Sequence, residues 1–411
     1  MRDTRLTRTK SMTQVEATTT FTTPDAGATR RILQLGAQHL GRCYQCGTCS
    51  VVCPEAPDDR AFPRKEMIWA QWGLKGKLLE DPDVWLCHHC NECSVYCPRD
   101  AMPGDLMAAV RAYQVEHYAA SKPLSKVTGR PKLLPLAFVP PVLLTFFMVL
   151  FAVIIPEGGL KYPEGDVLFE NFIAHIYIDI FSAIAMGFAA GVAWTSGRRF
   201  WKAISRSDPS AAAERRGFAG SLLLTARDIA SHTYFNKCEV NKPRGHAHKG
   251  ILYGFLLLFT ASTVAFVYTV VLGRELSLPI GDPVKVIGNI GGIALLLGLT
   301  LVSWRRIAKR REVGRSMYFD WYFIGVLYLL TITGFMVEAS RYANLRDASY
   351  SLYMVHLVFY FMLFTYLPFT KFSHIIYRTL ALTHARQTGR LPATRRPASE
   401  PPVLELAEEL G

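Results

Sequence analysis

Hydrophobic and polar positions divide this chain into two unlike parts. Up to about residue 130 the apolar residues are scattered among polar ones; from about 133 to 378 they gather into long runs. Crossing a bilayer as a helix takes about 20 mostly apolar residues. Six stretches meet that need: Leu133–Ile155, Phe172–Trp194, Gly250–Leu272, Val284–Trp304, Trp321–Ala339 and Leu352–Phe369. The first carries Pro135, Pro140 and Pro141 near its entry, where missing backbone donors predict a kink. In the polar part, Lys65–Leu79 and Gly104–Tyr118 place apolar residues at helical spacing. The pattern predicts an all-α chain: a polar, irregular N-terminus over 1–29, a helical domain over 30–125, a six-helix transmembrane bundle over 130–380 and a flexible tail over 386–411.

Charge orients the bundle. The formal net charge is +13, and the basic residues concentrate in alternate loops. Arg198 to Arg244 follow the second stretch, Arg305 to Arg315 the fourth, and Lys371 to Arg390 the sixth. The first of the other loops sets Glu157, Glu164, Asp166 and Glu170 against Lys161 alone. Basic loops stay on the cytoplasmic side, so both termini and the polar domain are expected at the cytoplasmic face of the cytoplasmic membrane. The surplus is a topology signal and does not call for nucleic acid. The pair Arg30-Arg31 superficially suggests export, but Ile32–His39 is too short and polar for a signal core.

Eight of the nine cysteines lie in the polar domain, in two runs that each end in Cys-Pro. The first is Cys43-x2-Cys46-x2-Cys49-x3-Cys53-Pro54 and the second is Cys87-x2-Cys90-x2-Cys93-x3-Cys97-Pro98. Zinc sites pair a Cys-x2-Cys with a distant second pair; two complete four-cysteine runs fit iron–sulfur chemistry instead. In two-cluster ferredoxins the fourth cysteine of each run serves the other cluster. Carried over, Cys43, Cys46, Cys49 and Cys97 hold one [4Fe–4S] cluster, and Cys87, Cys90, Cys93 and Cys53 hold the other. His88 and His89, inside the second run, are expected to tune hydrogen bonding.

Ionisable residues at membrane depth are functional candidates by default. His356 and His374 are eighteen residues apart, five turns of one continuous helix and about 27 Å along its axis. One helix is thereby expected to offer a haem ligand near each membrane surface. His248 enters the third stretch level with His374, and His175 enters the second level with His356. The expected pairs are His248 with His374 and His175 with His356; His246 is the alternative to His248. Cys238 reads as a free thiol in a basic loop, with His232, Arg227 and Arg244 around it. Gly288, Gly291, Gly292 and Gly298 suggest close helix packing and lack the context of a dinucleotide site.

Resemblances sharpen this reading. The helical spacing between and after the cysteine runs resembles the all-helical ferredoxin domains of succinate dehydrogenase iron–sulfur subunits and of the heterodisulfide reductase C subunit. His356–Ile376, with its Pro368-Phe369-Thr370-Lys371 run, resembles the last haem-bearing helix of respiratory nitrate reductase gamma subunits. His248-Lys249-Gly250-Ile251 resembles that family's proximal histidine; its other ligand position is Leu258 here, so an outer haem rests on His175. His232–Phe255 looks like the region of the heterodisulfide reductase E subunit that leads into a haem helix. No adjacent Cys-Cys pair of the disulfide-reducing kind is present.

A helical two-cluster ferredoxin domain followed by a six-helix cytochrome b bundle is similar to the C-subunit family of quinone-interacting membrane-bound oxidoreductases, over residues 30 to 380. That resemblance implies two [4Fe–4S] clusters, one or two haem b, and a membrane quinone or menaquinone as substrate. It also implies flavin-containing heterodisulfide reductase A-like soluble partners, and an indirect link to adenylylsulfate reductase in dissimilatory sulfur metabolism. The alternatives are a cytochrome and iron–sulfur subunit of another heterodisulfide reductase-like or sulfite reductase-associated membrane complex, or a membrane anchor without quinone activity.

Overall fold

The computed structural model describes residues 23–56, 61–155, 165–207, 217–233, 242–274, 278–309 and 313–390. Cys238 and the tail beyond 390 lie outside the described residues. No strand occurs among the described residues. The first helix, α1 (Ala26–Gln34), starts inside the stretch expected to be irregular, because Asp25 accepts from the Ala28 amide at 3.0 Å and caps it. Around the cysteines lie α2 (Arg64–Gln71) and α3 (Pro103–Tyr118) with several one-turn helices. Then come α4 (Val139–Ile154), α5 (His175–Ser207), α6 (Phe218–Ala230), α7 (Lys242–Phe266), α8 (Pro283–Ala308), α9 (Tyr318–Tyr342), α10 (Arg346–Tyr366) and α11 (His374–Gln387).

Six helical segments are long and apolar enough to cross a membrane, and they overlap the six expected stretches. The entry to the first is broken, as its prolines predict: a 3-10 turn at Pro131–Leu133 and a short helix at Leu134–Ala137 precede α4. α5 runs well past its apolar stretch, so its basic end reaches the cysteine domain, where the Ser207 hydroxyl donates to the Glu80 carbonyl at 3.0 Å. Between α8 and α9 the Arg315 amide donates to Asp105 at 3.0 Å. The basic loops therefore gather on the side of the cysteine domain.

The continuous helix expected to carry both His356 and His374 is not formed. α10 ends at Tyr366, a 3-10 turn covers Leu367–Phe369, and Thr370 is extended at ψ −174° before a second 3-10 turn leads into α11. Pro368 lacks the amide that would continue the ladder, and the Thr370 hydroxyl accepts from the Phe372 amide at 3.4 Å. The two histidines sit on different helices, and the five-turn register between them does not hold.

Two packing arrangements position the histidines and cysteines. α7 and α8 touch backbone to backbone. A Cβ on Gly254 would fall 2.6 Å from the Leu295 nitrogen, and one on Gly298 would fall 2.7 Å from the Ala247 carbonyl. Of the glycines expected to pack closely, Gly291 also meets α7, Gly292 meets the Phe335 ring, and Gly288 makes only ordinary contact. The second arrangement joins the domains. The core of the cysteine domain (Ile32, Met67, Leu78, Leu106 and Met107 among others) continues without a break into Phe200 and Ile204 of α5 and Tyr377, Ala381 and Ala385 of α11. Trp85 stacks on Tyr377 with centroids 5.1 Å apart and rings 13° from parallel. α11 also passes the expected end of the folded chain at 386, and Arg390 pairs with Asp83 at 2.5 Å.

Tyr377 is 1% exposed at the centre of that junction. Its replacement by alanine is expected to cost about 3–5 kcal/mol, the range for deleting a large buried aromatic ring. Thermal unfolding of the detergent-solubilised protein measures the loss, and limited proteolysis is expected to release the cysteine domain earlier than in the wild type.

Candidate metal centres

The two cysteine runs fold as a repeat. Gln45 and His89, each two residues after the first cysteine of its run, both take positive φ (62° and 55°). Gly47 and Asn91, directly after the second cysteine, do the same (88° and 69°). Each run then enters a one-turn helix, Thr48–Val51 or Glu92–Val95, that carries its third cysteine. The left-handed residues turn backbone amides toward sulfur: Gln45 N–H lies 3.4 Å from Cys43 Sγ and His89 N–H 3.3 Å from Cys87 Sγ. Ala101 N–H reaches Cys97 Sγ at 3.4 Å. The tuning expected of His89 thus comes through its backbone, while the His88 ring faces Glu55 at 3.7 Å.

The fourth cysteines cross over. One cavity is lined by Cys43, Cys46, Cys49 and Cys97, the other by Cys87, Cys90, Cys93 and Cys53. Burial pushes the Cys49 thiol up to about 11 and the Cys53 thiol up to about 12, with neighbouring sulfurs adding to the shift. Cys43 and Cys93 are also pushed up, again chiefly by burial. Four sulfurs converging in a partly dry cavity disfavour thiolates unless a cationic centre joins them. The amide-to-sulfur contacts and the crossed sets of four suit iron–sulfur clusters. Cys46 differs from the others: it is exposed, and the Thr48 hydroxyl holds its thiol below the usual range.

Of the four histidines expected to ligate, His248 and His374 come together. Their rings lie 6.1 Å apart between centroids and 81° from parallel, one on α7 and one at the start of α11. Both tautomers follow from their partners. His374 Nδ1 is 2.6 Å from the Lys371 carbonyl, which only accepts, so Nδ1 carries the proton. His232 Nδ1 is 3.0 Å from the Ala230 carbonyl, so the neutral ring presents Nε2 as acceptor to His248 Nδ1 at 3.0 Å. Each ring of the pair then has Nε2 as its lone-pair nitrogen, the state in which histidine ligates iron. With those nitrogens available, His248 and His374 would suit holding a haem iron. His246 is exposed on α7 and takes no part.

The other expected pair receives separate partners. His175 Nε2 lies 3.3 Å from Glu170 at the far end of α5. His356 Nδ1 lies 3.0 Å from the Thr333 hydroxyl of α9, beside Gly334. The two rings are not brought into contact as His248 and His374 are. Sequence reasoning left His232 among the loop residues. Its contact with His248 is made through space, and only the resemblance noted over His232–Phe255 touched on it.

Comparison with known proteins divides the chain at the same point. Residues 39–101 match a 4Fe-4S dicluster domain, and residues 129–395 match the citrate utilization protein B family. The citrate utilization protein B of Escherichia coli is 29% identical over 287 residues, covering 67% of this chain and 72% of that protein. A protein of Archaeoglobus profundus that is like the heterodisulfide reductase C subunit is 42% identical over 89 residues, 21% of this chain and 47% of that protein. The E subunit of the dihydromethanophenazine:CoB–CoM heterodisulfide reductase of Methanosarcina barkeri is 27% identical over 147 residues, 33% of this chain and 56% of that protein. The chain thus spans about half the length of each of these last two relatives. No solved structure matches it.

The thiol environments set an order of reactivity. In cluster-free protein at mildly alkaline pH, a limiting alkylating reagent is expected to label Cys46 first, because thiolate and access decide the rate. Cys49, Cys53 and Cys93 are expected to react last. Peptide mass spectrometry reads the order directly.

Proposed function

The chain belongs to the citrate utilization protein B family, and from that premise we propose that it is the membrane electron-transfer subunit of a quinone-linked oxidoreductase. In this reading Cys43, Cys46, Cys49 and Cys97 hold one [4Fe–4S] cluster, Cys87, Cys90, Cys93 and Cys53 the second, and His248 with His374 a haem b. When bound, these groups supply one-electron redox chemistry. The chain itself supplies position: it fixes imidazole tautomers, directs amides at sulfur and ties a cysteine domain to a bundle that reaches the quinone-bearing membrane. The domain side of the bundle is the cytoplasmic side of the cytoplasmic membrane, on the strength of its basic loops.

The observation that carries the reading is the His248–His374 pair on the face of the bundle that meets the cysteine domain. A membrane anchor has no use for two imidazoles from different helices brought side by side, each with its Nδ1 held by a neighbour. The resemblance to the C-subunit family of quinone-interacting oxidoreductases supports a narrower form. There the soluble partners are flavin-containing heterodisulfide reductase A-like subunits, with adenylylsulfate reductase beyond them. A second reading is favoured by the match to a family named for citrate utilization over residues 129–395. In it the same conduit serves a soluble partner of citrate metabolism, and the two readings differ in which reduced partner transfers electrons to the purified chain.

Composition tests the shared core of both. Purified protein is expected to hold about eight non-haem irons, two cubanes' worth, and haem b by its pyridine haemochrome spectrum. His248→Ala and His374→Ala are expected to lose haem and keep the irons; Cys97→Ala is expected to lose about half the irons and keep haem. A second haem that disappears in both His356→Ala and His175→Ala assigns that pair. A wild type without haem and without a quinone-dependent redox change defeats the proposal.

A further inference from the structure

The histidine pair and the second sulfur cradle share an arrangement that neither motif describes. On α7, Arg244 lies four residues before His248; on α11, Arg378 lies four residues after His374. Residues four apart share one helix face, so each ring of the pair is accompanied by an arginine one turn away. Both arginines reach the same loop of the cysteine domain. Arg244 Nη1 donates to the His88 and His89 carbonyls, each at 2.9 Å, and Arg378 Nη1 approaches the Cys87 carbonyl at 3.5 Å. From the other side, Arg111 of α3 donates to the Val84 and Cys87 carbonyls, each at 2.5 Å. The acids nearby are engaged elsewhere: Asp320 by Lys371 and by Arg306 at 3.5 Å, and Glu55 beside His88.

We propose that Arg244 and Arg378 are positioning residues that lock the Cys87–His89 loop onto the haem helices, making the Cys87/Cys90/Cys93/Cys53 cluster the one that exchanges electrons with the membrane and setting its potential. This rests on the functional reading above. The first cradle faces outward, with exposed Cys46 and with Arg64 and Arg99 at its rim, so it is the centre left for a soluble partner. The exchange moves one electron between two centres, one oxidised as the other is reduced, with no bond made or broken. Two guanidinium charges on the loop of the second cluster favour its reduced, more negative form. The outer cluster does not share them, and charges at an exposed rim are screened by solvent. Charge counting along the sequence assigns these arginines to membrane topology; the structure gives them a direction.

The test uses the full chain in detergent, as wild type, Arg244→Gln, Arg378→Gln, the double variant, and the Arg244→Lys and Arg378→Lys controls. Iron and haem content are measured first. An EPR-monitored redox titration then resolves the two clusters, and rapid mixing follows electron exchange between cluster and haem. The glutamine variants are expected to keep clusters and haem, to shift the potential of one cluster downward, to leave the other in place, and to slow exchange with the haem. The lysine controls are expected to restore the potential, since the charge returns, and not the rate, since a flexible, strongly hydrated ammonium does not hold the loop carbonyls in place as a planar guanidinium does. Equal shifts of both clusters, or no shift with an unchanged rate, overturn the proposal. Absence of haem from the wild type defeats the functional reading itself, and the content measurement shows it before any variant is compared.

Discussion

The rest of the structure depends on one shared hydrophobic core, in which the cysteine domain closes over the ends of two membrane helices. Trp85, two residues before Cys87, lies flat on Tyr377, and Phe200 meets both Tyr118 and Tyr377 edge-on. A domain of this size buries little surface alone. Each large side chain withdrawn from water at the junction contributes about 1.5–3 kcal/mol, and the aromatic stack adds about 0.5–1.5 kcal/mol. Beside it two long polar side chains bond to backbone of the cysteine domain. Gln114 accepts from Trp85 Nε1 at 2.5 Å and donates to the Leu78 carbonyl at 2.7 Å, and Tyr118 donates to the Leu79 carbonyl at 2.8 Å. Because α11 both begins at His374 and carries Tyr377, the stack that docks the domain also fixes the histidine.

Close helix contact does the same for the other half of the pair. α7 lies against α8 so tightly that Gly298 meets the Ala247 carbonyl, one residue before His248. A Cβ there would push the histidine-bearing turn away from α8. Loop geometry supplies the remaining constraint, through the His232 ring and the Ala230 carbonyl behind it. Structure at three scales (domain docking, helix contact and a two-ring hydrogen-bond relay) converges on one pair of imidazole nitrogens.

The sequence made some of this legible and hid the rest for physical reasons. Cysteine runs are readable because three of the four cysteines in each cavity are local, and the spacings themselves carry the chemistry. The six spans are readable because the bilayer demands apolar length regardless of context. The pairing of His248 with His374 followed from matching depth and basic loops. Depth could not reveal that Thr370 breaks the helix between His356 and His374, since periodicity sees apolar spacing and not the amide missing at Pro368. His175 and His356 were matched by depth as well, yet each found a hydroxyl or carboxylate close by. His232, Arg244 and Arg378 act through contacts across the fold, which no window of sequence contains.

In the proposed role, the chain conducts electrons between a membrane quinol and its iron–sulfur clusters by way of the His248–His374 pair. Mixing the purified, oxidised protein anaerobically with a soluble quinol analogue, and following haem absorbance and cluster EPR together, tests that claim most directly. Haem reduction followed by cluster reduction is expected in the wild type, and clusters that stay oxidised are expected in His374→Ala protein with its irons intact. Clusters reduced equally fast without His374, or not reduced in either protein, would contradict it.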